Sequence, residues 1–146
     1  TLLHTVMNNP CLPESKTSEM KHPVRSVLIL APTNVIPNWE KEIEQWTEEL
    51  ENPISLFNLQ STNSHSRKGE SMKWKKRGGV LLMSDDLFRR HFSSFIIKEA
   101  PPDILVLDEA HTMLKHSKTK ISKLLCQLST KRRILLTGTP MQNNAT

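Results

Sequence analysis

The sequence predicts an α/β fold built on a parallel β-sheet. Two apolar runs, residues 104–107 and 134–136, stop abruptly on polar residues, which are Asp-Glu-Ala-His in the first case and Thr-Gly-Thr-Pro in the second. Continuous apolar runs are typical of strands that are buried on both faces, as in parallel sheets. In such sheets ligands bind at the carboxyl ends of the strands. The two polar clusters are therefore expected at one edge of the sheet, where they would form one site.

The other elements alternate between strand and helix, which favours right-handed crossovers. A short helix at 1–8 is followed by a loop at 9–23 that contains three prolines. Thr33 or Asn34 is expected to cap the helix that reaches residue 49, and Ser84 is expected to start another helix because Asp85 and Asp86 follow it. The predicted strands are 26–30, 54–59, 80–83 and the two apolar runs. The remaining predicted helices are 69–76, 87–95, a short one after 109, and 119–128.

The residue types at the first strand end point to nucleotide chemistry. Asp108 directly follows a buried strand, as does the carboxylate that holds Mg²⁺ in ATP-hydrolysing sites, and Glu109 beside it can orient an attacking water. The same pair can also serve as a helix N-cap followed by a first-turn acid. The buried strand before the pair, His111 at the next helical turn and the second polar strand end favour the ATPase interpretation.

Three stretches resemble motifs of superfamily-two helicases, in the same order. Residues 108–111 resemble motif II, and residues 136–144 (Leu-Thr-Gly-Thr-Pro-Met-Gln-Asn-Asn) resemble motif III of the Swi/Snf-type branch. Residues 28–32 (Leu-Ile-Leu-Ala-Pro), with Asn-Trp-Glu and Gln-Trp further on, resemble motif Ia and the helix behind it. RNA helicases of the DEAH-box group normally carry Ser-Ala-Thr at motif III, so the Thr-Gly-Thr-Pro of this chain distinguishes it from that group. Shorter similarities are closest to ATRX-like chromatin remodellers.

This resemblance implies an α/β, RecA-like parallel sheet with helices on both faces, as in the first lobe of an ATP-driven double-stranded DNA translocase. ATP and Mg²⁺ would be the cofactors, with Asp108 holding Mg²⁺ through water and Glu109 as the water-orienting base. The partners would be double-stranded DNA or nucleosomes and a second RecA-like lobe, and the location would be the nucleus.

The resemblance also assigns roles outside the acid pair. His111 would link the nucleotide site to motif III, and Pro32, Thr33 and Asn34 would lie near the DNA backbone. The coupling residues of motif III would be Thr137, Gly138 and Thr139. From their chemistry alone, the two threonines could simply form a tight turn at the glycine.

The sequence departs from the family pattern at motif II and after the third predicted strand. ATRX-like proteins often read Asp-Glu-Gly-His where this chain has Asp-Glu-Ala-His. A Tyr-Glu pair usually follows the strand at 79–83, where this chain has Ser84, Asp85 and Asp86. The contribution of that tyrosine is therefore in question here, and the chain contains no tyrosine.

The largest departure from the family pattern is the absence of a phosphate-binding loop. No Gly-x-x-x-x-Gly-Lys-Ser/Thr occurs among residues 1–146. We therefore expect 1–146 to be a partial helicase ATP-binding domain that lacks the first strand and the phosphate loop, with no second domain. The alternative is a non-catalytic ATPase-like module, or a DNA- or protein-binding module, with the same fold. The intact Asp-Glu pair disfavours that alternative.

The chain has a formal net charge of +5, and its charged residues are distributed unevenly along the sequence. Residues 40–51 carry six acids and one lysine on a helical pattern, in which Trp39 and Trp46 are expected to face the core rather than stack on bases. Residues 67–77 hold six basic residues against one acid, and residues 115–133 hold seven and no acid. Such clusters are typical of phosphate contacts on nucleic acid, with Lys118, Lys120 and Lys123 as candidates. A solvated face is the alternative.

Overall fold

The parallel sheet predicted from the sequence is present. The computed structural model describes residues 23–115 and 118–137, and within them five strands lie in the order β2-β3-β1-β4-β5, all paired in parallel. The predicted helix at 1–8 and nearly all of the following loop lie outside the described residues. The strands are β1 (Ser26–Ala31), β2 (Leu56–Asn58), β3 (Gly79–Ser84), β4 (Ile104–Leu107) and β5 (Arg132–Leu135).

Helices connect the strands, as predicted, with some ends displaced. Residues 67 and 68 are helical rather than part of the loop, and the helix after β3 continues to residue 98. None of the helices in the described ranges is long and apolar enough to cross a membrane. The helices are α1 (Ile36–Glu48), α2 (Arg67–Arg77), α3, α4 (Ala110–Leu114) and α5 (Lys120–Gln127), where α3 consists of Asp85–Leu87, a π-helical turn at Phe88–Phe92, and Ser93–Lys98.

Helices cover both faces of the sheet, but unequally. Side chains alternate across each strand, so Leu28 and Leu30 of β1 face one side while Val27 and Ile29 face the other. The chain leaves the central β1 toward β2 through α1 and then works back across the sheet through the later helices. Among the helices of the described residues, right-handed crossovers therefore place α1 alone on one face and the others on the opposite face. Their buried contacts include Ile36 and Ile43 on the α1 face, and Trp74, Phe88, Met113 and Leu125 on the other.

The strand ends are in register, which brings the predicted polar clusters to one edge of the sheet. Leu30 pairs with Leu107, and Leu107 pairs with Leu135. The segments 32–34, 108–111 and 136–137 therefore leave the sheet side by side. We call this edge the carboxyl edge and the opposite one the amino edge.

The last strand is less buried than predicted. Its apolar run suggested burial on both faces, yet Leu135 is 53% exposed and both arginines at its start are exposed. The reason is its position: among the described residues β5 pairs only with β4, so it lies at the margin of the sheet. The prediction of a strand was confirmed, and the prediction of two buried faces was wrong.

The start of α1 and one of its tryptophans also differ from the prediction. Neither Thr33 nor Asn34 caps the helix; both belong to a 3-10 turn without a side-chain cap, and the α-helix begins at Ile36 with Pro37 in its first turn. Trp46 is 48% exposed, and its indole N–H donates to Glu42 on the same helix. The helix turns Thr47 toward the sheet at this level, and Thr47 is buried in its place.

A two-glycine turn joins α2 to β3. Gly78 and Gly79 both have positive φ, at 80° and 104°. A Cβ atom at Gly78 would lie 2.4 Å from the carbonyl oxygen of Arg25, and one at Gly79 would lie 2.4 Å from that of Ser55. Because both neighbours are backbone atoms, a side chain at either position would have to displace the chain.

Candidate functional site

Asp108 lies at the carboxyl edge, directly after β4, as predicted. Its backbone N–H donates to Leu30 of β1, which extends the strand pairing by one residue. The carboxylate is partly buried and accepts two hydrogen bonds: Oδ1 from the N–H of Glu109 at 2.9 Å, and Oδ2 from Nε1 of Trp39 at 2.8 Å. The aspartate is therefore held at both oxygens.

Glu109 adopts a left-handed backbone conformation, with φ of 52° and ψ of 43°. Its carbonyl oxygen accepts from both the N–H and the hydroxyl of Thr112. These bonds allow the chain to turn out of β4 and start α4 within two residues. The side chain of Glu109 is 30% exposed, so that water can reach its carboxylate.

His111 lies beside Glu109. Its Nε2 is 3.4 Å from Oε2 of Glu109, and its side chain is 43% exposed. Since the two residues are only two positions apart, the left-handed turn at Glu109 brings them together. The histidine thus contacts the proposed base directly.

Backbone hydrogen bonds join the end of β4 to the end of β5. The N–H of Ala110 donates to the carbonyl of Leu136 at 3.0 Å, and the N–H of Leu136 donates to Leu107 at 2.8 Å. Thr137 follows and is exposed. The coupling residues Gly138 and Thr139 lie outside the described residues. The segment predicted as motif II is therefore attached to the start of the segment predicted as motif III.

The end of β1 supplies the third segment of the carboxyl edge. Pro32 accepts the N–H of Val35 and opens the 3-10 turn, whereas Thr33 and Asn34 are exposed. Both side chains are therefore accessible from solvent.

Trp39 is the residue that the sequence interpretation missed. It was assigned to the core, and its ring does pack partly buried on the α1 face of the sheet, but its indole N–H reaches Asp108. A buried indole normally requires an acceptor for its N–H, which is the signal that could have prompted a search for a polar neighbour. Helical spacing alone shows the packing and not the acceptor.

The residues that replace the usual Tyr-Glu pair serve the start of α3. Ser84 is buried, and its hydroxyl accepts from the N–H of Leu87 as predicted. Asp86 accepts from Arg89 at 2.6 Å and from Arg90 at 3.0 Å. The hydrogen bond from Arg89 lowers the pKa of Asp86 below its usual value.

The basic clusters occupy different positions. α4 and α5 return the chain from the carboxyl edge, where β4 ends, toward the amino edge, where Leu128 after α5 accepts from Arg133 of β5 at 3.0 Å. The start of α5 is therefore its end farther from the amino edge; Lys118 and Lys120 there are exposed, as is Lys123 one turn later. In α2, several basic residues already have partners within the described chain. Arg67 donates to the carbonyl of Leu59, Lys73 pairs with Glu70 and Lys75 pairs with Glu99.

Fold and site together define a RecA-like α/β domain with an Asp-Glu pair at the carboxyl edge, linked to a second strand end. The chain belongs to the SNF2-related domain family, whose model matches residues 2–146.

Curated relatives share much of the chain. It is 39% identical over 149 residues to DNA repair and recombination protein RAD54 of Oryza sativa subsp. japonica, covering 99% of this chain and 14% of that protein. It is 36% identical over 133 residues to Protein CHROMATIN REMODELING 20 of Arabidopsis thaliana (83% and 9%), and 30% identical over 135 residues to Transcriptional regulator ATRX of Homo sapiens (82% and 5%). The chain thus spans only a small part of the length of these relatives.

Proposed function

We propose that this chain is part of the first RecA-like lobe of an ATP-driven double-stranded DNA translocase of the chromatin-remodelling type. The observation that carries the proposal is the carboxyl edge, where an Asp-Glu pair directly follows β4 and the next residue, Ala110, donates its N–H to Leu136, the residue after β5. Membership of the SNF2-related domain family supports it. An acid pair after a buried strand is suited to holding Mg²⁺–ATP and orienting water.

The donor set fits Mg²⁺ held through water. Mg²⁺ usually keeps several waters and binds one or two carboxylates together with substrate phosphates. Asp108 supplies one such carboxylate, and each of its oxygens accepts one hydrogen bond from the described residues, which leaves further acceptor positions. When bound, Mg²⁺ would neutralise charge on the phosphates of ATP.

Glu109 would orient the attacking water, and His111 would orient Glu109. The exposed part of the Glu109 side chain is accessible to water, and the 3.4 Å contact with Nε2 of His111 limits where its carboxylate can point. His111 would also report the state of this site to Thr137 and Thr139. The bond from Ala110 to Leu136 supports that route, because it ties the two segments together.

The DNA backbone would contact the carboxyl edge. Exposed hydroxyl and amide groups at Thr33 and Asn34 can donate to phosphate oxygens, as can backbone and lysine N–H groups. We assign Pro32, Thr33 and Asn34, together with Lys118, Lys120 and Lys123, to this contact. The complete protein would need a phosphate-binding loop and a second RecA-like lobe, and it would act on DNA or nucleosomes in the nucleus.

The test is Glu109→Gln in the full-length protein. The amide keeps the shape of the side chain and loses the charge that orients water. We expect nucleotide affinity to stay within about twofold, and DNA-stimulated ATP hydrolysis to fall by about 100-fold or more, in the range of general-base catalysis. Hydrolysis would be measured by phosphate release, and affinity with a fluorescent nucleotide.

Glu48→Gln is the matched control, since Glu48 is an exposed acid on α1 away from the strand ends. It should leave hydrolysis unchanged. A full-length protein that neither binds nor hydrolyses ATP would favour the non-catalytic module. Near-normal hydrolysis in Glu109→Gln would remove Glu109 from the mechanism.

A further inference from the structure

Two donors from different parts of the chain fix the carboxylate of Asp108. Trp39 of α1 donates its Nε1–H to Oδ2 at 2.8 Å, and Glu109 donates its backbone N–H to Oδ1 at 2.9 Å. Rotation of the carboxylate about its Cβ–Cγ bond would disrupt both hydrogen bonds. The indole is the only one of the two donors that a side-chain substitution can remove.

We propose that Trp39 is a positioning residue that holds Asp108 in the orientation required for Mg²⁺–ATP. This inference rests on the function proposed above, and it adds a residue on a different element from the acid pair. Hydrogen bonds to the ligands of a metal site orient those ligands, and their loss typically costs about 10- to 100-fold in metal affinity or activity. Trp39 would orient Asp108 by its hydrogen bond to Oδ2 of that carboxylate.

The packing of Trp39 suits it to this task. Its ring lies partly buried on the α1 face, between the buried Ile36 one turn before it and the buried Ile43 one turn after it. An indole N–H is a donor only, so it cannot exchange roles with a carboxylate oxygen. A donor on a packed ring therefore supplies a fixed direction.

The position of α1 gives the contact a second consequence. This helix follows directly from the segment 32–34, which we propose contacts the DNA backbone, and Trp39 lies in its first turn. A displacement of that segment would therefore reach Oδ2 of Asp108 through a single helical turn. Trp39 connects the DNA-contacting segment to the carboxylate that would hold Mg²⁺.

The experiment compares Trp39→Phe with Trp46→Phe in the full-length protein. Phenylalanine keeps an aromatic ring and removes the N–H. We expect Trp39→Phe to raise the Mg²⁺ concentration for half-maximal DNA-stimulated ATP hydrolysis by about tenfold or more. The gain in affinity for a fluorescent ADP on adding Mg²⁺ should shrink by a similar factor, with the affinity in EDTA unchanged.

Trp46→Phe is the matched control. This change also removes an indole N–H that donates to a carboxylate. However, Trp46 is half-exposed, and its acceptor is Glu42 on the surface of the same helix. The control should leave both the Mg²⁺ requirement and the gain in ADP affinity at their wild-type values.

A loss of fold in Trp39→Phe would be revealed by a lower melting temperature, and a closer isostere then decides. β-(3-Benzothienyl)alanine at position 39 keeps the size of the indole and replaces its N–H with sulfur. A raised Mg²⁺ requirement in this protein supports the proposal, whereas a wild-type requirement overturns it.

The outcomes separate this inference from the proposed function. If the wild-type protein hydrolyses ATP and both Trp→Phe variants have its Mg²⁺ requirement, Trp39 merely packs and only the inference fails. If the wild-type protein shows no hydrolysis and no Mg²⁺-dependent nucleotide binding, the proposed function fails and the inference fails with it.

Discussion

At the scale of single residues, the backbone of Glu109 is unusual. It is the only non-glycine residue with positive φ among the described residues. For an L-residue, the left-handed conformation costs about 1–2 kcal/mol, because Cβ approaches the following carbonyl oxygen. The bonds to Asp108 and Thr112 hold it there. Strain of this kind is often found at functional sites, where the surrounding structure enforces it.

Glycine should therefore be more stable than alanine at position 109. We expect Glu109→Gly to exceed Glu109→Ala in free energy of unfolding by up to about 1 kcal/mol, because glycine adopts positive φ without the steric cost. Urea denaturation of the lobe measures this difference. Both variants should lose hydrolysis.

An exposed position on α1 provides the control, because the stability difference between glycine and alanine should have the opposite sign there. Glu44→Gly should be less stable than Glu44→Ala by about 1 kcal/mol, as is usual in helix interiors. If glycine is also the weaker residue at position 109, the left-handed turn is not strained and this interpretation is wrong.

At the scale of elements, the turn between α2 and β3 depends on two glycines for steric reasons. Each has positive φ, and each lies against a carbonyl oxygen of a neighbouring segment, one before β1 and one before β2. The turn thus sets how α2 returns to the sheet at the amino edge.

Alanine at Gly78 or Gly79 should destabilise the fold. Each change combines positive φ with a 2.4 Å contact to backbone, so we expect a loss of about 2 kcal/mol or more in the free energy of unfolding. Gly69→Ala is the control, because it lies within α2 and a Cβ atom there meets nothing within 4 Å. That change should stabilise by about 0.5–1 kcal/mol. Equal losses at the three positions in denaturant melts would contradict the steric argument.

Much of the element pattern could be read from the sequence because it follows from local periodicity. The apolar runs gave the strands, and Ser84 gave the start of α3 through its own side chain. The exposure of β5 could not be read in this way, since it depends on how many partners the strand has. The orientation of Trp46 likewise depends on how α1 is rotated against the sheet.

The candidate site was predictable in part. Asp108, Glu109 and Thr137 were placed correctly at one edge because parallel strands end together. The link between Trp39 and Asp108 joins residues 69 positions apart, and it appears only when α1 is packed on its face of the sheet. The roles of all these residues remain predictions.

At the scale of the whole molecule, the lysines near the start of α5 lie on the side away from the amino edge, and the segment 32–34 leaves the sheet at the carboxyl edge. Lysines at the amino edge offer a comparison: Lys98 ends α3, and Lys131 precedes β5, and both are exposed. The two sets have similar chemistry and opposite positions on the sheet.

Neutralising Lys118, Lys120 and Lys123 in the full-length protein should weaken binding to unrelated duplexes alike. The slope of log affinity against log salt should become shallower by up to about one unit per lost phosphate contact. Hydrolysis without DNA should hardly change. Binding would be measured by fluorescence anisotropy over a range of salt concentrations.

Neutralising Lys98 and Lys131 is the control, and the loss of DNA affinity is compared per charge removed. It should have little effect on the salt slope. If both sets reduce affinity equally, only the net charge matters; if neither does, the lysines of α5 are a solvated face.

The central position of β1 in the sheet affects which backbone amides are exposed by local unfolding. β1 is paired along six residues with β3 and along four with β4, whereas β5 has β4 as its only partner within the described chain. Amides in such a centre are expected to exchange with solvent only in the rarest openings, and those at a margin exchange in the commonest ones. Within the described chain, the segment 32–34, which we propose contacts DNA, thus extends from the strand whose amides should exchange last, and Thr137 extends from a strand whose amides should exchange early.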